Sequence, residues 1–511
     1  MLARRRRAPV RVLRITRDAW IFERACPGSA AGLFATERFQ VIHPLVILLI
    51  GTGVVIGGIL VLRLHAFLAL VLAALAVAVL TAPETVYQYA IDTGLSPGEA
   101  LELSTQPIAE RVADGFGRTI GQIGIVIAMA SVIGICLLES GGADRIVRSA
   151  LNRFGAHRAP HVFAGSSLLL SIPVFFDTVF YLMMPLAKSM RLRTGRYYLF
   201  YILAIVSGGA MAHSLIPPTP GPLFIAEELG IDIGVMMLGG FVVGLPATAA
   251  GFMYAAWAER RWGLPLNEPP EAMERLKLLT ERTTDSLPSL QLALLPILLP
   301  VALIAASTIL ASSLEGDATS WWEAFVFTLG EKNMALIIGA AVGLAMLMRS
   351  YSLRASMPFV RDALLSAGLI VLIIGAGGAF GQVLQQTGIA ATMEQLAGNY
   401  RLAVLPVAFL ITAAIRGAQG SATVAMITAA GAFAGIASAA QLGFHPAYLA
   451  LAIGCGSLPL WWMNDSAFWI ITKMSGMSED RGLLTLTPIL SIMGTAGFAA
   501  LMLLAVLFPL A

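Results

Sequence analysis

From about residue 43 onward the chain alternates between apolar runs and short polar loops. The runs lie at 43–63, 66–82, 117–138, 160–187, 197–229, 233–258, 289–312, 333–349, 363–386, 403–438, 446–474 and 483–509. Most reach or exceed the roughly 20 residues that span a bilayer core as helix, at about 1.5 Å per residue. Their Leu-, Ala- and Gly-rich texture lacks the period of two of a transmembrane β-barrel. The pattern therefore predicts an all-α polytopic membrane protein.

Four runs are interrupted, as two pairs at matching places of the two halves. SIPVFFDTVFYLMMP (Ser171 to Pro185) precedes HSLIPPTPGP (His213 to Pro222), and RGAQGSATVAMITAAG (Arg416 to Gly431) precedes GSLPLWWMNDSAFW (Gly456 to Trp469). A backbone group left unpaired in hydrocarbon is costly, so such interruptions persist only where they are enclosed by protein or line a cavity. Matching interrupted segments mark secondary transporters built on inverted repeats. A weaker correspondence joins GICLLESGGADRIVRSAL (Gly134 to Leu151) to GQVLQQTGIAATMEQLA (Gly381 to Ala397).

Loop charge orients the runs. Lys and Arg crowd Arg145 to Arg158, Lys188 to Arg196, Arg260 to Arg282 (with Arg261, Arg275 and Lys277) and Arg349 to Arg361, which the positive-inside rule places in the cytoplasm. The intervening loops are acidic (Asp92, Glu99, Glu102; Glu227, Glu228, Asp232; Glu315, Asp317, Glu323) and are placed outside. The two sets alternate only if 160–187 and 403–438 are re-entrant hairpins of opposite sense. Two full spans would need about 40 residues, and 160–187 holds about 28. The predicted organisation is an Arg-rich extension (1–42), a first half (43–258) with hairpin 160–187 and broken helix 197–229, a cytoplasmic loop (259–288), and a second half (289–511) with hairpin 403–438 and broken helix 446–474. This count puts the amino terminus outside, against the pull of the Arg4 to Arg7 cluster, and no signal-peptide core follows those arginines.

Composition agrees: of 511 residues 58% are hydrophobic and 12% charged, where soluble domains carry about a quarter charged residues. The net charge of +3 is spread over short loops and forms no basic face, which excludes nucleic acid as a partner. Cys26, Cys136 and Cys455 are too scattered for a disulfide framework or metal site. There is no H-E-x-x-H, phosphate loop or Arg-rich voltage-sensor helix, so no metal and no cofactor are expected.

The interruptions carry the candidate chemistry. Asp177 stands among Phe175, Phe176 and Val179; a carboxylate at bilayer depth is disfavoured, which suits a reversible proton carrier as well as it suits a protonated structural Asp. Thr178 beside it is a candidate substrate contact. The prolines of Pro217 to Pro222 cannot continue a helix, and a half-helix restarting near Leu223 offers a positive dipole end to an anion. Thr219, Pro220 and Gly221 are its candidate contacts; a Pro-kinked helix without ligand is the plainer reading. Gly420, Ser421 and Thr423 form the predicted tip of the second hairpin, suited either to a ligand or to helix packing. Arg416, about one turn earlier, needs an anionic or carbonyl partner: a substrate carboxylate, Asp177 or Asp465. Asn464 and Ser466 can hold hydroxyl groups, and Asp465 can carry a proton, bind a cation or fasten the break. His213 is the one histidine near these motifs.

From about Val46 to the carboxyl terminus the chain resembles the gluconate permeases, proton-coupled sugar-acid symporters of the ion transporter superfamily. The likeness rests on LLESGGADRI, FFDTVFYLMMPL, PPTPGP, RGAQGSATVA and MNDSAFW. It implies a homodimer in the inner membrane, with a scaffold and a mobile part holding both hairpins and both broken helices, moving as an elevator. Asp177 stands where those permeases usually have Glu; Gly420, Ser421, Ala422 and Thr423 match their GSAT tip, and Asn464 and Asp465 their ND pair. Thr219 and Trp462 replace two of their histidines, so a smaller or more apolar hydroxy acid is expected to suit Trp461 and Trp462. The expected function is import of a gluconate-like sugar acid or small hydroxy-carboxylate with protons. Sodium coupling at the breaks, and a membrane-embedded enzyme using Asp177 and Asp465, are the competing readings.

Overall fold

The computed structural model describes residues 42–266, 287–313, 320–389, 401–437 and 443–509. Residues 1–41 of the Arg-rich extension, with Cys26, the loop residues Arg275, Lys277, Arg282, Glu315 and Asp317, residues 390–397 of the weaker repeat and the last residue of hairpin 403–438 lie outside them.

The described chain is all-helical. The first half runs α1 (Pro44–Leu60), α2 (Ala66–Leu80), α3 (Pro83–Asp92), α4 (Pro97–Thr105), α5 (Ile108–Glu139), α6 (Gly142–Phe154), α7 (Ala159–Leu170), α8 (Phe176–Thr194), α9 (Tyr198–Leu215), α10 (Pro220–Glu228) and α11 (Ile233–Trp262). The second runs α12 (Leu290–Ser313), α13 (Trp321–Gly330), α14 (Lys332–Leu347), α15 (Leu353–Gln385), α16 (Val404–Gln419), α17 (Ala422–Ala437), α18 (Pro446–Gly456), α19 (Ser466–Ser475) and α20 (Glu479–Leu507). Six helices among the described residues are long and apolar enough to cross a membrane, or up to eight when each bent pair is one span. The bent pairs are α2 with α3, at 97°, and α13 with α14, at 68°.

Several elements differ from the hydropathy reading. Helix α5 starts at Ile108 rather than 117 and α15 at Leu353 rather than 363, because their first turns are polar and their start signals are Pro107 and the Ser352 cap, whose side chain accepts from the Ala355 N–H. The acidic stretches read as loops contain α3, α4 and α13. In α4 the Ser96 hydroxyl and the Glu99 carboxylate satisfy each other's backbone ends in a capping box, so the acidic residue that suggested a loop is a helix start.

The two halves repeat one order: a long helix (α5, α15), a helix-break-helix pair (α7–α8, α16–α17), a second such pair (α9–α10, α18–α19) and a closing helix (α11, α20). Helix α5 runs along α15, α7 packs on α9, and α16 packs on α18. Glycine permits the last two approaches: a Cβ at Gly208 of α9 would lie 2.0 Å from the Ala164 carbonyl of α7, and one at Gly456 of α18 would lie 2.5 Å from the Phe409 carbonyl of α16. Residues 214–226, which span the break between α9 and α10, are all buried. The broken helix is thus walled off by protein, which is what its interrupted backbone requires.

Candidate functional site

Three of the four breaks meet around one cavity of about 380 Å³. Between α7 and α8 the chain turns at Ser171 to Phe175, where Pro173 lacks a donor and Phe175 is extended (φ −58°, ψ 139°). Helix α16 ends at Gly420, whose φ of +86° a side chain rarely adopts; Ser421 then caps α17, its hydroxyl accepting from the Val424 N–H at 3.3 Å. The break between α18 and α19 closes on Asp465, whose Oδ1 accepts from the Ala467 N–H at 2.6 Å.

Helices α8, α17 and α19 consequently all begin at this cavity. Each start carries a partial positive charge of roughly half an elementary charge, so the three together favour an anion. Arg416, from the last turn of α16, is 3% exposed and lines the same space. Its Nε donates to the Ser457 carbonyl at 3.2 Å and its Nη2 to the Asp465 carboxylate, while its Nη1 has no partner among the described residues. Of the partners open to Arg416 in the sequence, the fold selects Asp465, an ion pair that fastens α16 to the α18–α19 break. Asp177 lines the cavity and makes no hydrogen bond or ion pair with another described residue.

Trp461, 3% exposed, forms an apolar wall with Phe176 at a ring separation of 6.2 Å, and its indole Nε1–H has no partner among the described residues. The Arg416 guanidinium lies 5.8 Å from the Trp461 ring centre. His213 of α9 reaches the cavity with Nε2 3.4 Å from the Thr423 hydroxyl.

Nine of the sequence candidates line this cavity: Asp177, Thr178, Arg416, Gly420, Ser421, Ala422, Thr423, Asp465 and Ser466. Four do not. The Thr219 hydroxyl, buried, donates to the Ile216 carbonyl at 2.6 Å and closes the α9–α10 break on itself. Pro220 sits with it in a small crevice against Val174 and Phe175, and Gly221 packs against Met426. Helix α10 starts at Pro220, not near Leu223; Pro220 and Pro222 then occupy its first turn and remove two of the donors an anion would need. Asn464 donates to the Gly417 carbonyl at 2.8 Å, as does Trp462, which is 46% exposed and turned away from the cavity that Trp461 lines. The cavity also takes in Ser366, Ile370 and Ile373 of α15 and Ser214 of α9, which sequence reasoning missed. A hydroxyl inside an apolar run, as at Ser366, was the available signal.

Residues 43–507 match the family described as GntP family permease. The chain belongs to that family. It is 32% identical over 415 residues to the gluconate permease of Pseudomonas aeruginosa, covering 80% of this chain and 90% of that one. It is 30% identical over 441 residues to the low-affinity gluconate transporter of Escherichia coli K12, covering 85% and 92%. This GntP-family chain is therefore a multi-pass membrane permease, and the reading as an enzyme falls away. Its fold is similar to that of two solved transporters, MtrF of Neisseria gonorrhoeae (TM-score 0.56, 17% identity, 78% of this chain and 83% of that one) and YdaH of Alcanivorax borkumensis (TM-score 0.55, 15% identity, 86% and 99%).

Proposed function

We propose that this permease imports gluconate, or a similarly small hydroxy-carboxylate, together with protons across the cytoplasmic membrane. The observation that carries this reading is the spare Nη1 of buried Arg416, in a cavity where three helices begin. A carboxylate seated there answers both the unmet donor and the converging dipoles. Ser421, Thr423 and Ser466 supply hydroxyls for the substrate's own, and the relatives named for gluconate support the substrate class.

Proton coupling follows from Asp177. Ionised, it sets a second negative charge in the cavity that receives the anion, where the effective dielectric is below that of water and the repulsion exceeds about 1 kcal/mol at close range. Protonated, it does not. Proton and substrate therefore each raise the other's affinity, and by linkage the effect is reciprocal. Asp465 is held by Arg416 and takes the architectural role. We assign the mobile part to α7–α10 and α16–α19 and the scaffold to the long helices, in the halves 43–258 and 289–511, with α7–α8 and α16–α17 as re-entrant hairpins, in a homodimer. Support for an elevator comes from Ser366, Ile370 and Ile373 of α15 facing the breaks across the cavity, so that sliding along α15 would carry the site from one side to the other.

Uptake of labelled gluconate into proteoliposomes tests the reading. Accumulation should follow an inward proton gradient, persist when choline replaces sodium, and collapse in Asp177→Asn while gluconate exchange survives. Accumulation by Asp177→Asn equal to the native protein would remove the assignment.

A further inference from the structure

A second cavity, of about 770 Å³, lies between α6, α7 and the start of α12, away from the candidate site. Arg153, Arg158 and His161 stand where α6 ends and α7 begins, and the His161 ring packs against Phe252 at 4.5 Å with the two planes tilted by 45°. Further along, the lining is apolar: Val162 and Leu169 on α7, Leu290 and Leu294 on α12. Leu169 is eight residues beyond His161, about 12 Å along the helix. Nothing fills the middle, since a Cβ at Gly165 would meet no atom within 4 Å.

Charge divides the cavity in the same way. Arg148, one turn before, is neutralised by Asp144 at 2.8 Å, but Arg153 and Arg158 are exposed and have no ion pair or hydrogen bond among the described residues. Among the described residues no Asp or Glu lines the space. The positive-inside rule accounts for arginines at this cytoplasmic edge but not for an apolar slot running on from them. A cationic head and an apolar channel at the membrane surface match one kind of molecule.

We infer that this groove binds an anionic phospholipid, its phosphate against Arg153 and Arg158 and an acyl chain along Val162, Gly165 and Leu169. A free phosphate would leave the apolar length unused, and a zwitterionic lipid would bring a cation to an already cationic end.

The test is native mass spectrometry of the full chain in detergent, titrated with dioleoyl phosphatidylglycerol or dioleoyl phosphatidylcholine. The native protein should retain phosphatidylglycerol preferentially. The double variant Arg153→Gln, Arg158→Gln should lose that preference by on the order of tenfold. Gly165→Leu, which fills the slot and leaves the charge, should lower retention of phosphatidylglycerol with the melting temperature unchanged. Equal retention of both lipids, unchanged retention in both variants, displacement by glycerol phosphate at equal concentration, or a change of oligomeric mass in Gly165→Leu in place of lipid loss would each overturn the inference.

Discussion

Arg416 and Asp465 show how a buried charge can serve two ends. A guanidinium that is 3% exposed needs a counter-charge in the folded protein, and Asp465 supplies it while also capping α19. Arg416→Ala should leave Asp465 unpaired and lower stability by on the order of 3 kcal/mol, read by thermal unfolding. Arg416→Lys keeps the charge and loses the fork; we expect a folded protein whose gluconate affinity falls tenfold or more, measured by calorimetry. Trp461 poses a similar question, because its unpartnered indole N–H and its apolar ring are separable. Trp461→Phe should preserve the wall on Phe176 and weaken a hydroxylated acid by about tenfold, the worth of one buried hydrogen bond, with little effect on its deoxy analogue. Motif logic identified Arg416 as a residue in need of a partner but left three partners open. It gave no reason to prefer Trp461 over Trp462, since adjacent residues in an extended break point opposite ways and only packing decides which way is inward.

At the level of elements, the breaks were legible because Pro, Gly and polar residues inside apolar runs violate local rules that hold regardless of tertiary context. Their use was not. The richest break, Pro217 to Pro222, is spent on itself through the Thr219 hydroxyl and leaves few donors at the start of α10, whereas the plainer Gly420 and Ser421 turn presents a capped helix start to the cavity. Helices α3, α4 and α13 were hidden because their acidic first turns, which favour a helix start, lower the hydropathy that marks a span. The crossings at Gly208 and Gly456 set how closely α7 lies on α9 and α16 on α18. Gly208→Leu drives a side chain into the Ala164 carbonyl, and Gly456→Leu does the same at Phe409. Each should cut the folded yield and abolish uptake, while Gly165→Leu, on the open face of α7, should not change the yield; size-exclusion profiles separate the cases.

For the whole molecule, the proposed coupling gives a pH dependence with a defined sign. Protonated Asp177 admits the anion, so initial uptake should fall as external pH rises, and in Asp177→Asn it should become flat. Substrate should also protect residues that meet only across the cavity: Ser366→Cys, in a background lacking Cys26, Cys136 and Cys455, should react with a polar maleimide, and gluconate should slow that labelling severalfold. Labelling indifferent to gluconate would separate α15 from the site.

By itself, the sequence determined the class of molecule, the positions of its breaks and its family, because bilayer solubility and helix interruption act over stretches of about 20 residues. Only the tertiary structure decided which breaks share a cavity, which donors remain spare and which of two neighbouring tryptophans faces inward. Those outcomes depend on surfaces contributed from α9 and α15, far away along the chain, and no local pattern encodes which partner a side chain will meet.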